Sequence, residues 1–262
     1  MLAQRIASAA VAIPLAVLLV WAGGPWYTAG VSLIVLVAAF EFQALQRGRA
    51  TPLGLLAAGL AASVAAGANV GLDWVLWFTL GGILIPLVWV TIRAQAETAM
   101  NDWSWAVAGV AYVGLLGAHL VLLRELPNGR DWVYLALFGT FAVDTGAYFV
   151  GTVLGRRKLA PAISPGKTVE VTLGGLAFGF AAVVVLNYIL GIRLEAALIV
   201  SLAALLPLAA VLGDLAESIL KRGTRVKDAS RLVPGHGGLL DRLDSLLFTF
   251  PVVYYFIIWV VP

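Results

Sequence analysis

One short window of the chain, residues 214–244, concentrates side chains that could do chemistry. It holds five acidic groups, six basic groups and one of the two histidines, and long apolar runs lie on both sides. Acidic pairs stand at its two ends, Asp214 with Glu217 and Asp241 with Asp244. Carboxylates bind hard cations such as Mg²⁺, whereas Lys and Arg bind phosphate oxygens. The window therefore predicts chemistry on phosphate compounds with a metal ion.

The spacing of these side chains indicates how they are presented. Positions i, i+3, i+4 and i+7 of a helix share one face, and here they are occupied by Asp214, Glu217, Ser218 and Lys221. Asp241 and Asp244 repeat the i, i+3 spacing just before the next apolar run. Two carboxylate pairs at helix ends can converge on one cation. The alternative is a set of interfacial charges that reach into water.

Glycines in the same window favour an anion site. Gly237 and Gly238 follow His236, and glycine lets backbone N–H groups approach an anion closely. His236 could donate a hydrogen bond to a phosphate or a ribose, or it could be a turn residue without a task.

A second polar segment, residues 153–171, offers a further cation. Lys167 stands between Gly166 and Thr168, close to Ser164, and such a lysine can clamp a phosphate. The string resembles the end of a P-loop but lacks its first glycine. The basic run 156–158 is typical of attraction to anionic headgroups.

Two further acids lie inside apolar runs. Asp144 is far enough from the run's end to be costly in hydrocarbon, which marks a site unless a neighbouring helix binds it. Glu41 lies near the end of another run, where we expect it only to reach out to the interface.

The composition explains which elements must position these groups. The chain has 262 residues, of which 61% are hydrophobic and 12% charged, whereas soluble domains carry about 25% charged residues. Continuous apolar runs of about 20 residues recur, which favours helical spans over a β-barrel. No cysteine is present, which excludes disulfides and thiolate metal sites. We expect an all-α polytopic membrane protein.

About nine transmembrane helices are predicted within a single integral-membrane domain, residues 1–262. The predicted spans are 5–22, 26–46, 52–70, 73–92, 104–123, 132–152, 172–191, 194–212 and 245–261. Residues 1–123 form the N-terminal spans, and residues 132–262 form the catalytic spans with long loops at 153–171 and 213–244. No cleavable leader is expected.

The positive charges predict the orientation. With the N-terminus in the cytoplasm, inner segments carry fourteen of the 17 Lys and Arg residues, and outer segments carry Arg124, Arg130 and Arg193. The sequence thus predicts an N-in, C-out topology with both long loops, and the active site, at the cytoplasmic face.

The order of the polar residues resembles a known signature. The matching string is Ser218-x-Leu220-Lys221-Arg222-x4-Lys227-Asp228-x-Ser230-x3-Pro234-x-His236-Gly237-Gly238-x2-Asp241-Arg242-x-Asp244. It resembles the signature of the integral-membrane phosphatidate cytidylyltransferases, or CDP-diacylglycerol synthases. Residues 144–148 and 164–170 are similar to two upstream motifs of that family, so the resemblance covers roughly the C-terminal half.

The resemblance implies a reaction in phospholipid biosynthesis: CTP and phosphatidate give CDP-diacylglycerol and pyrophosphate with Mg²⁺, and a second cation is left open. It implies a bacterial inner membrane location, membrane lipids but no nucleic acid as partners, and leaves a homodimer open. The implied catalytic residues are Asp214, Lys221, Asp241, Asp244 and Lys167. The implied metal ligands are Asp214, Asp241 and Asp244, with Asp144 and Glu217 beside them. The implied substrate-binding residues are Ser218, Arg222, Lys227, His236, Gly237, Gly238, Arg242, Ser164 and Thr168.

Two other functions are considered. A CTP-dependent polyprenol or phytol kinase would phosphorylate an alcohol and would need a base for the hydroxyl. A cation-coupled transporter would carry acids across the bilayer depth and show internal repeats, but the acids here crowd towards one side.

Overall fold

The structure is a computed structural model that describes residues 2–230, 232 and 237–261, with residues 2–9 and 153 described by their backbone alone. Helices dominate it, as the apolar runs predict. Their bounds are α1 Leu2–Ala22, α2 Gly24–Arg47, α3 Pro52–Gly67, α4 Leu72–Arg93, α5 Ala96–Gly109, α6 Leu116–Glu125, α7 Gly129–Leu154, α8 Val169–Ile189, α9 Ala196–Gly223, α10 Leu240–Leu243 and α11 Leu246–Val260. A π-helical segment, Val110–Leu115, joins α5 to α6.

Seven helices in the described part of the chain are long and apolar enough to cross a membrane. The first predicted span corresponds to α1, which has 21 residues and whose side chains are described from Ala10 to Ala22. The third corresponds to a shorter apolar helix, Pro52–Gly67. An α-helix rises 1.5 Å per residue, so the 16 residues of α3 fall short of a full hydrocarbon crossing of about 30 Å. The all-α polytopic architecture is confirmed.

Large apolar side chains on the outside of the helices fit a lipid surrounding. Trp77, Ile92 and Trp259 are each exposed by more than two thirds of their surface, at 69%, 77% and 75%. Water would make such a surface costly, whereas lipid tails are as apolar as these side chains.

The residues divide into two compact units. The first contains residues 1–126 and 228–243, and in it α2 packs on α3, α3 packs on α4, and α10 packs on α2. The second contains residues 127–227 and 244–262, and in it α7 packs on α8, α8 on α9, and α9 on α11. Residues 214–244, where the sequence predicts the chemistry, are thus divided between the two units.

The core of each unit is apolar with a few paired polar groups. Phe42 and Leu123 are fully buried in the first unit, and Leu206 in the second. Between α7 and α11, the buried hydroxyl of Thr140 donates to Thr249 Oγ1 at 3.0 Å. Such pairing is required because an unpaired polar group costs free energy in an apolar interior.

The two long loops are more regular than predicted. Residues 153–171 include an antiparallel hairpin of β1, Lys158–Ala160, and β2, Ser164–Thr168. The end predicted for the eighth helix, residue 212, is too early, because α9 continues to Gly223 and includes the helical face predicted from Asp214. Its polar residues interrupt the apolar run but not the helix, since polar side chains on one face leave backbone hydrogen bonding intact.

Candidate active site

The polar face predicted on one helix is confirmed as part of α9, and it meets a cation from the hairpin. Lys167 Nζ lies 2.5 Å from Asp214 Oδ2, with 14% and 35% of the two side chains exposed. Lys167 is on β2, two residues before α8 begins. The hairpin therefore positions a lysine against the first acid of the chemical window.

One turn further along α9, a second ion pair is buried more deeply. Lys221 Nζ lies 2.5 Å from Glu217 Oε2, and the Glu217 side chain is only 1% exposed. Helical i, i+4 spacing sets this pair. Ser218 reaches back to Asp214, with Oγ 3.5 Å from Oδ1, the limit of a hydrogen bond. Each of the two acids on this face is thus paired with a lysine.

Close backbone packing brings Asp244 to the same part of the second unit. At Gly213, next to Asp214, an added Cβ would lie 2.5 Å from the carbonyl oxygen of Asp244 and 3.0 Å from Cα of Ser245. Only glycine permits this approach. The Asp244 carboxylate accepts the N–H of Ser245 at 2.7 Å, which fixes its direction. Gly213 therefore places the backbones of two predicted metal ligands side by side.

The residues around the hairpin brace it. Arg222 Nε donates to the carbonyl of Ile163 at 3.2 Å, and the Glu170 carboxylate accepts the N–H groups of Arg156 and Arg157 at 3.1 Å. The Thr168 hydroxyl accepts the N–H of Val171 at 3.3 Å and caps α8. Arg222 and Thr168, predicted to bind substrate, thus also have structural contacts.

In the first unit, the Asp241 carboxylate organises the glycine-containing segment. It accepts the N–H of Gly238 at 2.7 Å and that of Ala229 at 3.0 Å. Gly237 has φ of +85°, and an added Cβ there would lie 2.6 Å from Asp241 Oδ2. Asp241 is 6% exposed. One carboxylate therefore binds the backbone at both Ala229 and Gly238.

Glu41 is the residue that sequence reasoning missed. The expectation that it only reaches out to the interface is wrong, because it is 3% exposed and accepts three hydrogen bonds. Its donors are Ser230 Oγ at 2.5 Å, Leu239 N at 3.1 Å and Leu240 N at 2.7 Å. A carboxylate within an apolar helix indicates that the group has a binding partner, but the sequence does not show which residue that partner is.

The remaining predicted residues are placed as follows. The side chains of Lys227 and Arg242 are exposed, Ser164 is half-buried on β2, and Asp144 is exposed on α7. His236 lies outside the described residues. Within the described residues of the second unit, Lys227 forms no ion pair with Asp214.

The donor atoms fit Mg²⁺ in kind. Mg²⁺ commonly takes one or two protein carboxylates and completes its shell with water and substrate phosphate oxygens. Asp214 and Asp244, with adjacent backbones, offer such a pair. Within residues 2–230, 232 and 237–261, no group of three or more His, Asp or Glu side chains is gathered closely enough to hold a metal by itself. The metal roles of all five acids stay predictions: Asp214, Asp241, Asp244, Asp144 and Glu217.

The sequence matches a known protein family over almost its whole length. The sequence profile described as the Cytidylyltransferase family matches residues 3–260. That match includes every residue of the ion pairs and carboxylate contacts described above.

The chain is also similar to individual proteins that are named phosphatidate cytidylyltransferase. The chain is 33% identical over 173 residues to the phosphatidate cytidylyltransferase of Bacillus subtilis, a match that covers 66% of this chain and 64% of that protein. It is 34% identical over 184 residues to the phosphatidate cytidylyltransferase of Staphylococcus haemolyticus, which covers 69% and 70%. The match thus spans slightly less than two thirds of the first relative's length.

Proposed function

We propose that this chain, which belongs to the cytidylyltransferase family, transfers a cytidylyl group from CTP to phosphatidate. The products are CDP-diacylglycerol and pyrophosphate. The observation that carries the proposal is the Lys167–Asp214 ion pair beside the Gly213–Asp244 contact. The names of the relatives support the same donor group and acceptor.

The reaction sets an electrostatic problem. An oxygen of the phosphatidate phosphate attacks the α-phosphorus of CTP, and the bond from that phosphorus to the bridging oxygen of the β-phosphate breaks. The electron pair leaves with pyrophosphate. The nucleophile is an anionic phosphate oxygen, so no general base is required, but two polyanions must meet. Positioning and charge neutralisation therefore supply the catalysis.

The cationic side chains can meet this requirement. Lys167 and Lys221 each hold an ammonium group against a carboxylate in a partly buried setting. Phosphate oxygens that approach either lysine gain a charge-assisted hydrogen bond. We assign Lys167 to the triphosphate because its partner Asp214 is 35% exposed, whereas Glu217, the partner of Lys221, is 1% exposed.

Asp214 and Asp244 would hold Mg²⁺, and a second cation remains part of the proposal. When bound, Mg²⁺ neutralises phosphate oxygens and favours an in-line arrangement of attacking and leaving groups. Two neighbouring residues position these acids. Gly213 permits the close approach of the α9 backbone to that of Asp244, and the N–H of Ser245 orients the Asp244 carboxylate.

The proposal includes a bacterial inner-membrane location, an N-in, C-out topology and an active site at the cytoplasmic face. It also includes about nine spans within one membrane domain, among which α3 is shorter than a full crossing. CTP is water-soluble, and the charge distribution favours that face. The chain has no cysteine, so single Cys replacements of exposed Lys158 and Arg130 can be labelled with an impermeant maleimide. Lys158→Cys should react only in inside-out vesicles and Arg130→Cys only in intact spheroplasts; the reverse pattern would invert the topology.

Labelled CTP tests the reaction itself. Purified protein receives phosphatidate, Mg²⁺ and CTP labelled at either the α- or the γ-phosphate. Label from the α-position should enter lipid, and EDTA should abolish the transfer until Mg²⁺ is restored. Entry of γ-label into an alcohol acceptor would instead support the lipid kinase, and no transfer of either label would reject both activities.

A further inference from the structure

A polar cavity lies in the first unit, and none of its lining residues is assigned above to the reaction. It has a volume of about 220 Å³ and lies where α2 and α4 end and α3 and α5 begin. Its polar lining includes Gln46, Arg47, Trp89, Arg93, Thr98 and Asp102. None of these takes part in the contacts of Asp241 or Glu41.

The charges of the lining favour an anion. Asp102 is its acidic side chain, and it is already bound by Arg47 Nη2 at 2.7 Å and by Gln46 Nε2 at 2.9 Å. The Arg93 guanidinium instead lies over the Trp89 ring, 5.2 Å from its centre. Among the residues described, no carboxylate forms an ion pair with Arg93. One positive charge in the lining is therefore left without an opposite charge.

A hydroxyl in the same lining points to a bound oxygen. Thr98 Oγ1 is buried and has no hydrogen-bond partner among the described residues. A buried polar atom without a partner is unfavourable because it has lost its hydrogen bonds to water. An oxygen atom of a ligand in the cavity would accept the hydrogen bond that Thr98 can donate.

An apolar groove adjoins the polar cavity. It has a volume of about 610 Å³ and is lined by side chains of α4 and α5 that include Leu87, Met100 and Trp103. The cavity and the groove share Val90, Gln95 and Ala99. A polar pocket that continues into an apolar groove matches a molecule with a charged head and a hydrocarbon chain.

We propose that this cavity and groove together bind a membrane glycerophospholipid, with its phosphate at Arg93 and Thr98 and an acyl chain along Leu87 and Met100. Arg93 forms a charge-assisted hydrogen bond to the phosphate, and stacking on Trp89 keeps the guanidinium in place. The site is separate from the reaction and does not depend on the proposed transfer.

The test uses the full chain in detergent and native mass spectrometry of retained lipid. The probe is phosphatidylglycerol, whose phosphodiester cannot act as the phosphomonoester acceptor of the proposed reaction. The variants are Arg93→Gln and Thr98→Val, and the matched control is Arg49→Gln, an exposed arginine that does not line the cavity. Thr98→Val keeps the side-chain shape and removes only the hydroxyl.

The phosphatidylglycerol concentration at which half of the protein retains lipid should be about tenfold higher for Arg93→Gln than for the parent. This is the effect expected for the loss of about one charge-assisted hydrogen bond. Thr98→Val should shift it in the same direction, and Arg49→Gln should match the parent. Ala99→Phe, which fills the shared wall, should weaken lipid retention as well. Equal retention in the parent and Arg93→Gln would overturn the proposal.

Competition separates the sources of the phosphate. Glycerol 3-phosphate and inorganic phosphate lack an acyl chain and should not displace the lipid at equal concentration. Displacement by either would assign the cavity to free phosphate and overturn the lipid site. Displacement by CTP would assign it to nucleotide, with the same consequence.

Discussion

The carboxylate of Glu41 accepts the backbone N–H of Leu240 at 2.7 Å, although 199 residues separate the two in the chain. The same carboxylate accepts bonds from Ser230 and Leu239. A single buried acid of α2 therefore holds the segment that carries Asp241. Its geometry links an apolar N-terminal helix to the residues of the signature.

We expect Glu41→Gln to destabilise the first unit by about 1–3 kcal/mol and to lower CTP turnover more than tenfold. The amide group would place donors against backbone N–H groups that now meet a carboxylate. Thermal unfolding in detergent and the labelled-CTP assay measure the two effects. Glu97→Gln, an exposed acid of the same unit, is the control. A Glu41→Gln protein as active and stable as the control would remove Glu41 from this role.

Replacement of Lys167 by Met should lower kcat/KM for CTP by at least about tenfold, because a charge-assisted hydrogen bond to the triphosphate would be lost. The protein should stay folded, because partly exposed ion pairs contribute little to stability. The control is Lys158→Met, since Lys158 is exposed on β1 of the same hairpin. Steady-state kinetics and circular dichroism provide the measurement. Unchanged kinetics in Lys167→Met would show that Lys167 does not contact CTP.

Gly213→Ala should destabilise the second unit by about 1–3 kcal/mol, since the new methyl would meet the backbone of Asp244 and Ser245. It should also reduce turnover, because α9 would be displaced from Asp244. Gly223→Ala is the matched control on the same helix, where an added Cβ meets nothing within 4 Å. If both variants unfold at the same temperature, the close contact at Gly213 does not limit stability.

Asp241→Asn should increase the exchange rates of the Ala229 and Gly238 amides, and CDP-lipid formation should fall with it. Gly238 and Ala229 both donate to Oδ2, and Ala229 also donates to Oδ1, so asparagine would replace one of these charged acceptors by an NH2 donor and leave the other neutral. Hydrogen exchange with mass spectrometry reports the first effect, and Asp73→Asn, an exposed acid of the same unit, serves for comparison. Lost activity with unchanged exchange would favour the predicted metal role, and retained activity would exclude it.

Sequence and structure agree where the signal is local. Apolar runs of about 20 residues predict helices because burial in hydrocarbon requires every backbone group to bond within its own segment. The i, i+3, i+4 spacing likewise placed Asp214 and Ser218 on one face, and α9 confirms that placement. The end of α9 was predicted too early because charge was taken as a helix boundary, and the hairpin at Lys167 was predicted only as a loop.

The sequence by itself determined the helical membrane character of the chain, the positions of its acids and bases, and the family signature. The tertiary structure alone decided which of them meet: Lys167 with Asp214, Gly213 with Asp244, and Glu41 with the segment around Leu240. The physical reason is that periodicity reports the surroundings of a residue along its own helix. Hydrogen bonds and ion pairs between distant segments depend on how whole helices pack, and that packing leaves no local pattern to read.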